Sequence, residues 1–265
     1  MELNNPAGRL LTILEKCRSV PKNEKTRDAW AKVLDIKSDE RILLIGRVGK
    51  VFALVDEIAI ELKKIDGVDI SRYMSWTKYL EGALGGCNFD VAWNDFVSRI
   101  NEQTFDYLHM ASGMLATNRP QPVLAYDELE NIYTGAKELI TEIIASELPP
   151  RMKQYFLEQL RKICTAIEEY QITGSPEVVD IVEATFGKAV LCKEYLEARE
   201  THESVSKFWK FMANTALVVS TVAGGLQIGD YTRKAFPELT APKIIEKVVN
   251  QPSSPESEKQ FSENS

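Results

Sequence analysis

"ERILLIGRVGKVFALVDEIAIELKKI", residues 40–65, is the stretch that decides the fold class. Apolar residues fall at Leu44, Val48, Val51, Val55, Ile58, Leu62 and Ile65, an unbroken four-three-four-three spacing over three heptads. Strand side chains alternate between two faces, whereas this spacing keeps every apolar residue on one side of a helix. It predicts one long helix, begun by the capping signal "SDE" at Ser38, with a seam that needs a partner helix. Gly46 and Gly49 lie in its first half. Each costs about 1 kcal/mol of helix propensity relative to Ala, a cost that close packing of a neighbouring backbone offsets.

Helices are predicted on both sides of this one. Upstream, Asn5 caps and Pro6 opens a helix that Pro21 stops at about Val20, and a second runs from about Glu24 to Ile36, burying Trp30, Val33 and Leu34. Downstream, shorter helices fall at about 69–84, 90–100 and 102–117, separated by "GALGGCNFD" and ended by "TNRPQP". Three long helices follow from Gln121. The first carries Ala125, Leu129, Ile132, Ala136, Leu139 and Ile143 and is closed by "LPP" at Leu148; the second carries Met152, Phe156, Leu160, Ile163, Ile167 and Tyr170. "TGSPE" then breaks the chain, with Ser175 as cap and Pro176 in the first turn of a helix carrying Val178, Val182, Ala189, Cys192 and Leu196. Breaks this short make neighbouring helices antiparallel.

The expected fold is therefore all-α: a multi-helix bundle of long antiparallel helices with an apolar C-terminal helix and a disordered tail. Residues 1–120 form an N-terminal helical region, 121–204 the antiparallel long-helix bundle, and 205–249 the apolar helix and a short C-terminal helix, "APKIIEKVV". Residues 250–265, rich in Pro, Ser, Glu and Asn, are the tail.

The apolar helix is "FWKFMANTALVVSTVAGGLQIG", residues 208–229, with no charge from Phe211 to Gly229. On a helical wheel its bulky face is Phe208, Phe211, Met212, Val218, Val219, Val222 and Leu226, the face expected to meet a partner or a membrane. Beside it, Ala216, Ser220, Gly224, Gly225 and Gly229 make a small-residue ladder suited to close helix packing. The run is just long enough for a bilayer, but Asn214, Gln227 and the glycines dilute it. A buried or partner-facing helix is the expectation, with a membrane-inserting helix as the alternative.

Residues able to do chemistry are sparse. His109 and His202 are the two histidines, and neither belongs to a metal or nucleophile motif. Glu177, Asp180 and Glu183 share a spacing that di-iron bundles use, but no Glu-x-x-His pair accompanies them, so they read as a solvated face. "GRVGKVF" at Gly46 lacks the spacing of a phosphate loop. Cys87 in "GGCNFD" stands near a helix start and is a candidate reactive thiol, without an identifiable base; Tyr73, Trp76, Tyr79 and Trp93 around it read as local core. No catalytic, cofactor-binding or metal residue is assigned, and no cofactor is expected.

Composition agrees with an ordinary globular chain: 44% hydrophobic, 27% charged, net charge -7. Lys and Arg outnumber Asp and Glu in residues 1–50 but are interleaved with them, so no cationic stripe forms and no nucleic-acid partner is expected. Absence of a signal sequence at the start and of any CxxC pair among Cys17, Cys87, Cys164 and Cys192 points to the cytoplasm, with membrane association through 208–229 as the variant of that reading. The expected function is that of a non-enzymatic interaction protein, working through heptad faces and the apolar C-terminal helix on a protein partner or a second copy. A membrane-anchored or membrane-inserting effector is the alternative, and an enzyme on a helical scaffold the third reading.

Overall fold

The structure, a computed structural model, describes residues 4–37, 39–85, 88–121 and 123–223. The regular elements of its described residues are all helices, without a strand beyond one isolated bridge between Lys25 and Ala92. In chain order the helices are α1 (Pro6–Ser19), α2 (Thr26–Val33), α3 (Arg41–Lys63), α4 (Ile70–Tyr73), α5 (Thr77–Gly85), α6 (Asn94–Val97) and α7 (Glu102–Asn118). There follow α8 (Tyr126–Ala145), α9 (Pro150–Glu168), α10 (Tyr170–Leu191), α11 (Glu194–Glu197), a 3-10 turn at Ala198–Glu200 and α12 (Glu203–Ala223).

Local chemistry explains where several of these begin. The Asn5 side chain accepts from the Gly8 N–H at 3.0 Å with Pro6 in the first turn, and the Asn101 side chain does the same for Thr104 at 3.1 Å. At α8 the Glu128 carboxylate accepts from the Ala125 N–H at 2.7 Å. The cap expected at Ser38 lies outside the described residues, and α3 starts at Arg41 instead.

Two stretches differ from the sequence expectation. The 90–100 helix shrinks to the single turn α6, because backbone groups before it bond to the α1–α2 connection: Trp93 N–H to Glu24 O at 2.7 Å, Asn94 N–H to Lys22 O at 2.9 Å, and Thr26 N–H to Val91 O at 2.9 Å. A donor or acceptor used in this way is lost to an i to i+4 ladder. The 69–84 helix is likewise interrupted between Tyr73 and Thr77, where Trp76 enters the core.

Two apolar cores result. One is built by α1 to α7 and includes Ile172; Trp30, Phe52, Trp93 and Phe96 form its aromatic centre, with Trp30 and Trp93 edge to face at 5.3 Å. The Trp93 indole N–H donates to Cys17 O at 2.9 Å. The seam of α3 is spent here, with Leu44, Val48, Val51, Leu54, Ile58 and Leu62 buried and α1, α2 and α7 packed on α3. The other core joins α8, α9, α10 and α12 around Phe156, Phe186, Phe208 and Trp209.

The cores meet where α1 packs on α10. Here the "TGSPE" break shows its purpose: Gly174 adopts φ +66° and ψ −165°, a region open almost only to glycine. A Cβ at Gly174 would lie 2.6 Å from Arg9 Nη1 and 2.7 Å from Asn4 Oδ1. The Ser175 hydroxyl accepts from Asn4 Nδ2 at 3.2 Å, so the expected capping serine also serves the junction with the N-terminus. Gly174→Ala is expected to cost about 2–4 kcal/mol, since neither the dihedral nor the clamped Arg9 can yield. Urea unfolding followed by circular dichroism checks this; a cost below about 1 kcal/mol would mean that the junction tolerates displacement.

Candidate functional site

Helix α3 is apolar on two sides, and that is the feature of this molecule that its own core does not explain. Opposite the buried seam runs a second line at helical spacing: Ile42, Ile45, Gly46, Gly49, Ala53 and Ile60. Ile42 is 90% exposed, Ile45 56% and Ile60 53%. Nothing in the described structure comes within 4 Å of a Cβ built at Gly46 or Gly49. The glycines therefore carry their helix-propensity cost without the intramolecular packing that would offset it. Arg41 precedes this face and Asp56 lies between Ala53 and Ile60, both exposed.

One flank of α3 is ionic. Buried Arg47 donates from Nε to Glu169 and from Nη2 to Glu168, both at 3.2 Å, and Lys50 reaches the other Glu169 oxygen at 2.5 Å. Glu169 sits at the α9–α10 corner and is itself buried, so it needs both cations. Next to it, Leu43, Arg47, Lys16, Leu129, Ile167, Glu168 and Tyr170 line part of an open cleft of about 810 Å³ between the cores. Most of its charged groups are already engaged, Lys16 by Gln171 and Lys32 by Glu24, which leaves little with which to grip a small ligand.

A further buried charge is Arg9. Its Nε donates to Ile172 O at 2.8 Å, Nη1 to Asn4 O and to Gln121 Oε1 at 3.1 Å, and Nη2 to Glu57 at 2.9 Å. Burial pulls the Arg9 pKa down and pushes the Glu57 carboxyl above its ordinary range, in each case against the attraction of the other. Loss of water outweighs the ion pair, and the neutral acceptors take the donors that Glu57 does not reach.

The residues singled out from sequence are distributed as follows. Phe208, Met212 and Val219 of the bulky α12 face are fully buried in the second core; Phe211 and Val218 are half-buried against it, with the Phe211 ring over Gly135. Ala216 is buried as well. At these positions α8, α9 and α10 together present an aromatic trough around Phe156 and Phe186, and α12 fills it. Ser220 and Val222 belong to the last turn of α12, while Gly224, Gly225, Leu226, Gly229 and Cys87 lie outside the described residues. No described helix is long and apolar enough to cross a membrane.

His109 is exposed, 3.8 Å from Glu15, and His202 is half-buried near the start of α12. Glu177, Asp180 and Glu183 are exposed along α10, and no described group of three or more His, Cys, Asp or Glu could hold a metal ion. Trp76 and Trp93 are buried, with Tyr73 and Tyr79 packed on the first core. Of the residues that the structure brings forward, the outer α3 line was missed in sequence because the heptad seam dominated the pattern; its signal is a second apolar stripe half a turn away. No protein-family model, curated protein or solved structure matches this chain.

Two measurements separate core from surface. Phe208→Ala should cost about 3–5 kcal/mol in urea unfolding, and Ile45→Ser less than about 0.5 kcal/mol; similar costs would contradict the burial described. The folded chain holds the Glu57 proton more tightly than the unfolded chain does. That contribution is full below the ordinary carboxylate range and is lost as pH rises through the raised folded value. The stability of the wild type relative to Glu57→Gln should accordingly increase as the pH is lowered from neutrality, and a difference independent of pH would refute the assignment.

Proposed function

We propose that this chain is a non-enzymatic helical interaction protein that binds another protein through an exposed helix face. The observation that carries this reading is the outer side of α3, where Ile42, Ile45 and Ile60 are exposed and no described residue covers Gly46 or Gly49. An exposed apolar stripe on a helix whose other side is buried suits a partner that covers it. The heptad seam and the described part of α12 support the reading differently from what their sequence suggests. They build the scaffold that holds α3 in place, and α3 presents its other side.

The scaffold itself we take to be an antiparallel bundle of α8, α9, α10 and α12. Lys207 meets Glu142 while Phe211, further along α12, meets Gly135, further back along α8, as opposed directions require. Cys17, Cys164 and Cys192, all free thiols, are in keeping with a cytoplasmic setting. The membrane-inserting and enzymatic alternatives have no observation of this kind in their favour.

A photo-reactive amino acid placed at residue 42 or 45 of the full chain, and at exposed Glu183 as control, tests the proposal in cells. Adducts of increased mass at 42 and 45 but not at 183 are expected. Equal yields at all three positions, or no adduct at any, would overturn it.

A further inference from the structure

We infer that the junction of the two cores holds a binding site for a phosphate group, with Lys16, Tyr170 and Arg9 as its donors. The site is a cavity of about 160 Å³ where α1 packs on the start of α10. Arg9, Thr12 and Lys16 line it from α1, Tyr170 and Gln171 from α10, and Asn4 from the residues before α1. No Asp or Glu lines it, although the chain as a whole carries a net charge of -7. A volume below the about 300 Å³ at which sites for drug-sized ligands begin suits a single tetrahedral oxyanion.

Donors outnumber acceptors in this cavity. The Tyr170 hydroxyl accepts from the Leu124 N–H at 2.8 Å and from Asn4 Nδ2 at 3.3 Å, and its own O–H has no acceptor among the described residues. Lys16 gives one of its three N–H donors to the neutral amide oxygen of Gln171 at 2.9 Å and is in no ion pair among the described residues. Arg9 uses four of its five donors, three on neutral acceptors and one on Glu57. Glu57 is the one carboxylate bonded to this set of side chains. Glu128, which acts on Tyr170 through space, has a carboxylate oxygen on the Ala125 N–H. Burial holds the Arg9 pKa below its ordinary value despite Glu57, so positive charge here is incompletely balanced.

A phosphate group supplies what is missing. It brings about two negative charges and at least three acceptor oxygens to donors that lack them, and bonds of this charge-assisted kind are the strong ones. A carboxylate, with one charge and two oxygens, leaves part of the surplus unmet. Its ligands come from α1 on one side and α10 on the other, so the bound group links the two cores and stabilises the folded chain by mass action.

Isothermal titration calorimetry of the full chain with inorganic phosphate tests the site, with sodium chloride and sodium acetate at equal ionic strength as controls. Saturable one-site binding is expected, with a melting temperature that rises with phosphate but not with chloride or acetate. Lys16→Gln should weaken phosphate binding about tenfold or more, and Lys16→Arg should retain most of it. Lys32→Gln, on the neighbouring cleft, should change it less than about twofold. Lys16 and Lys32 are exposed, so these variants keep the fold, which circular dichroism checks. Glycerol phosphate as a second titrant separates the two sources of the group: binding at least as tight as that of inorganic phosphate marks a small phosphomonoester, and weaker binding marks the free ion. No saturable heat with either titrant, or acetate binding as well as phosphate, would overturn the inference. Equal losses in Lys16→Gln and Lys32→Gln would overturn it too, because a diffuse field of surface charge then accounts for the binding.

Discussion

A guanidinium taken out of water must find acceptors for its donors, and much of this structure follows from satisfying that demand at Arg9. The acceptors come from four places far apart in sequence: Asn4 just before α1, Glu57 on α3, Gln121 in the connection before α8, and the Ile172 carbonyl at the start of α10. One side chain thereby ties the two cores together. The chain at Gly174 has to pass so close to it that only a hydrogen in place of a side chain fits, which explains why the helix break after α9 carries glycine. In the Arg9–Glu57 pair burial shifts both partners against their mutual attraction.

Helix α3 is the element on which the remaining organisation turns. Its inner side contributes six buried apolar residues to the first core, and its flank holds the second ionic joint through Arg47 and Lys50 on Glu169. The two joints bracket the region where the cores meet, so α3 is restrained from two directions before any partner arrives. A face displayed on a helix held this way loses little conformational freedom on binding, which favours association.

The apolar C-terminal run illustrates how a composition signal divides once neighbours are present. Viewed in isolation, Phe208, Met212 and Val219 suit lipid, a partner or a core equally well, because apolar transfer is indifferent to which apolar medium receives the group. Their place among Phe156, Phe186 and Trp209, with the Trp209 indole N–H satisfied by Tyr195 O at 2.8 Å, depends on the trough that α8, α9 and α10 form around them.

What the amino-acid sequence determined by itself is the helical character of the chain, most helix limits, and the identity of the buried faces. These follow from periodicity, caps and prolines, all of which act over a few residues: Asn5 and Pro6 start α1, Pro149 and Pro150 start α9, and Leu44 to Leu62 mark the inner side of α3. Tertiary structure alone decided the rest. The shortening of α6, the buried positions of Arg9, Arg47 and Glu169, and the difference between a spent seam and an open face on one helix all depend on partners more than 45 residues distant. Local pattern records that a side chain is apolar or charged; only the completed packing settles which of those surfaces the chain itself has already covered.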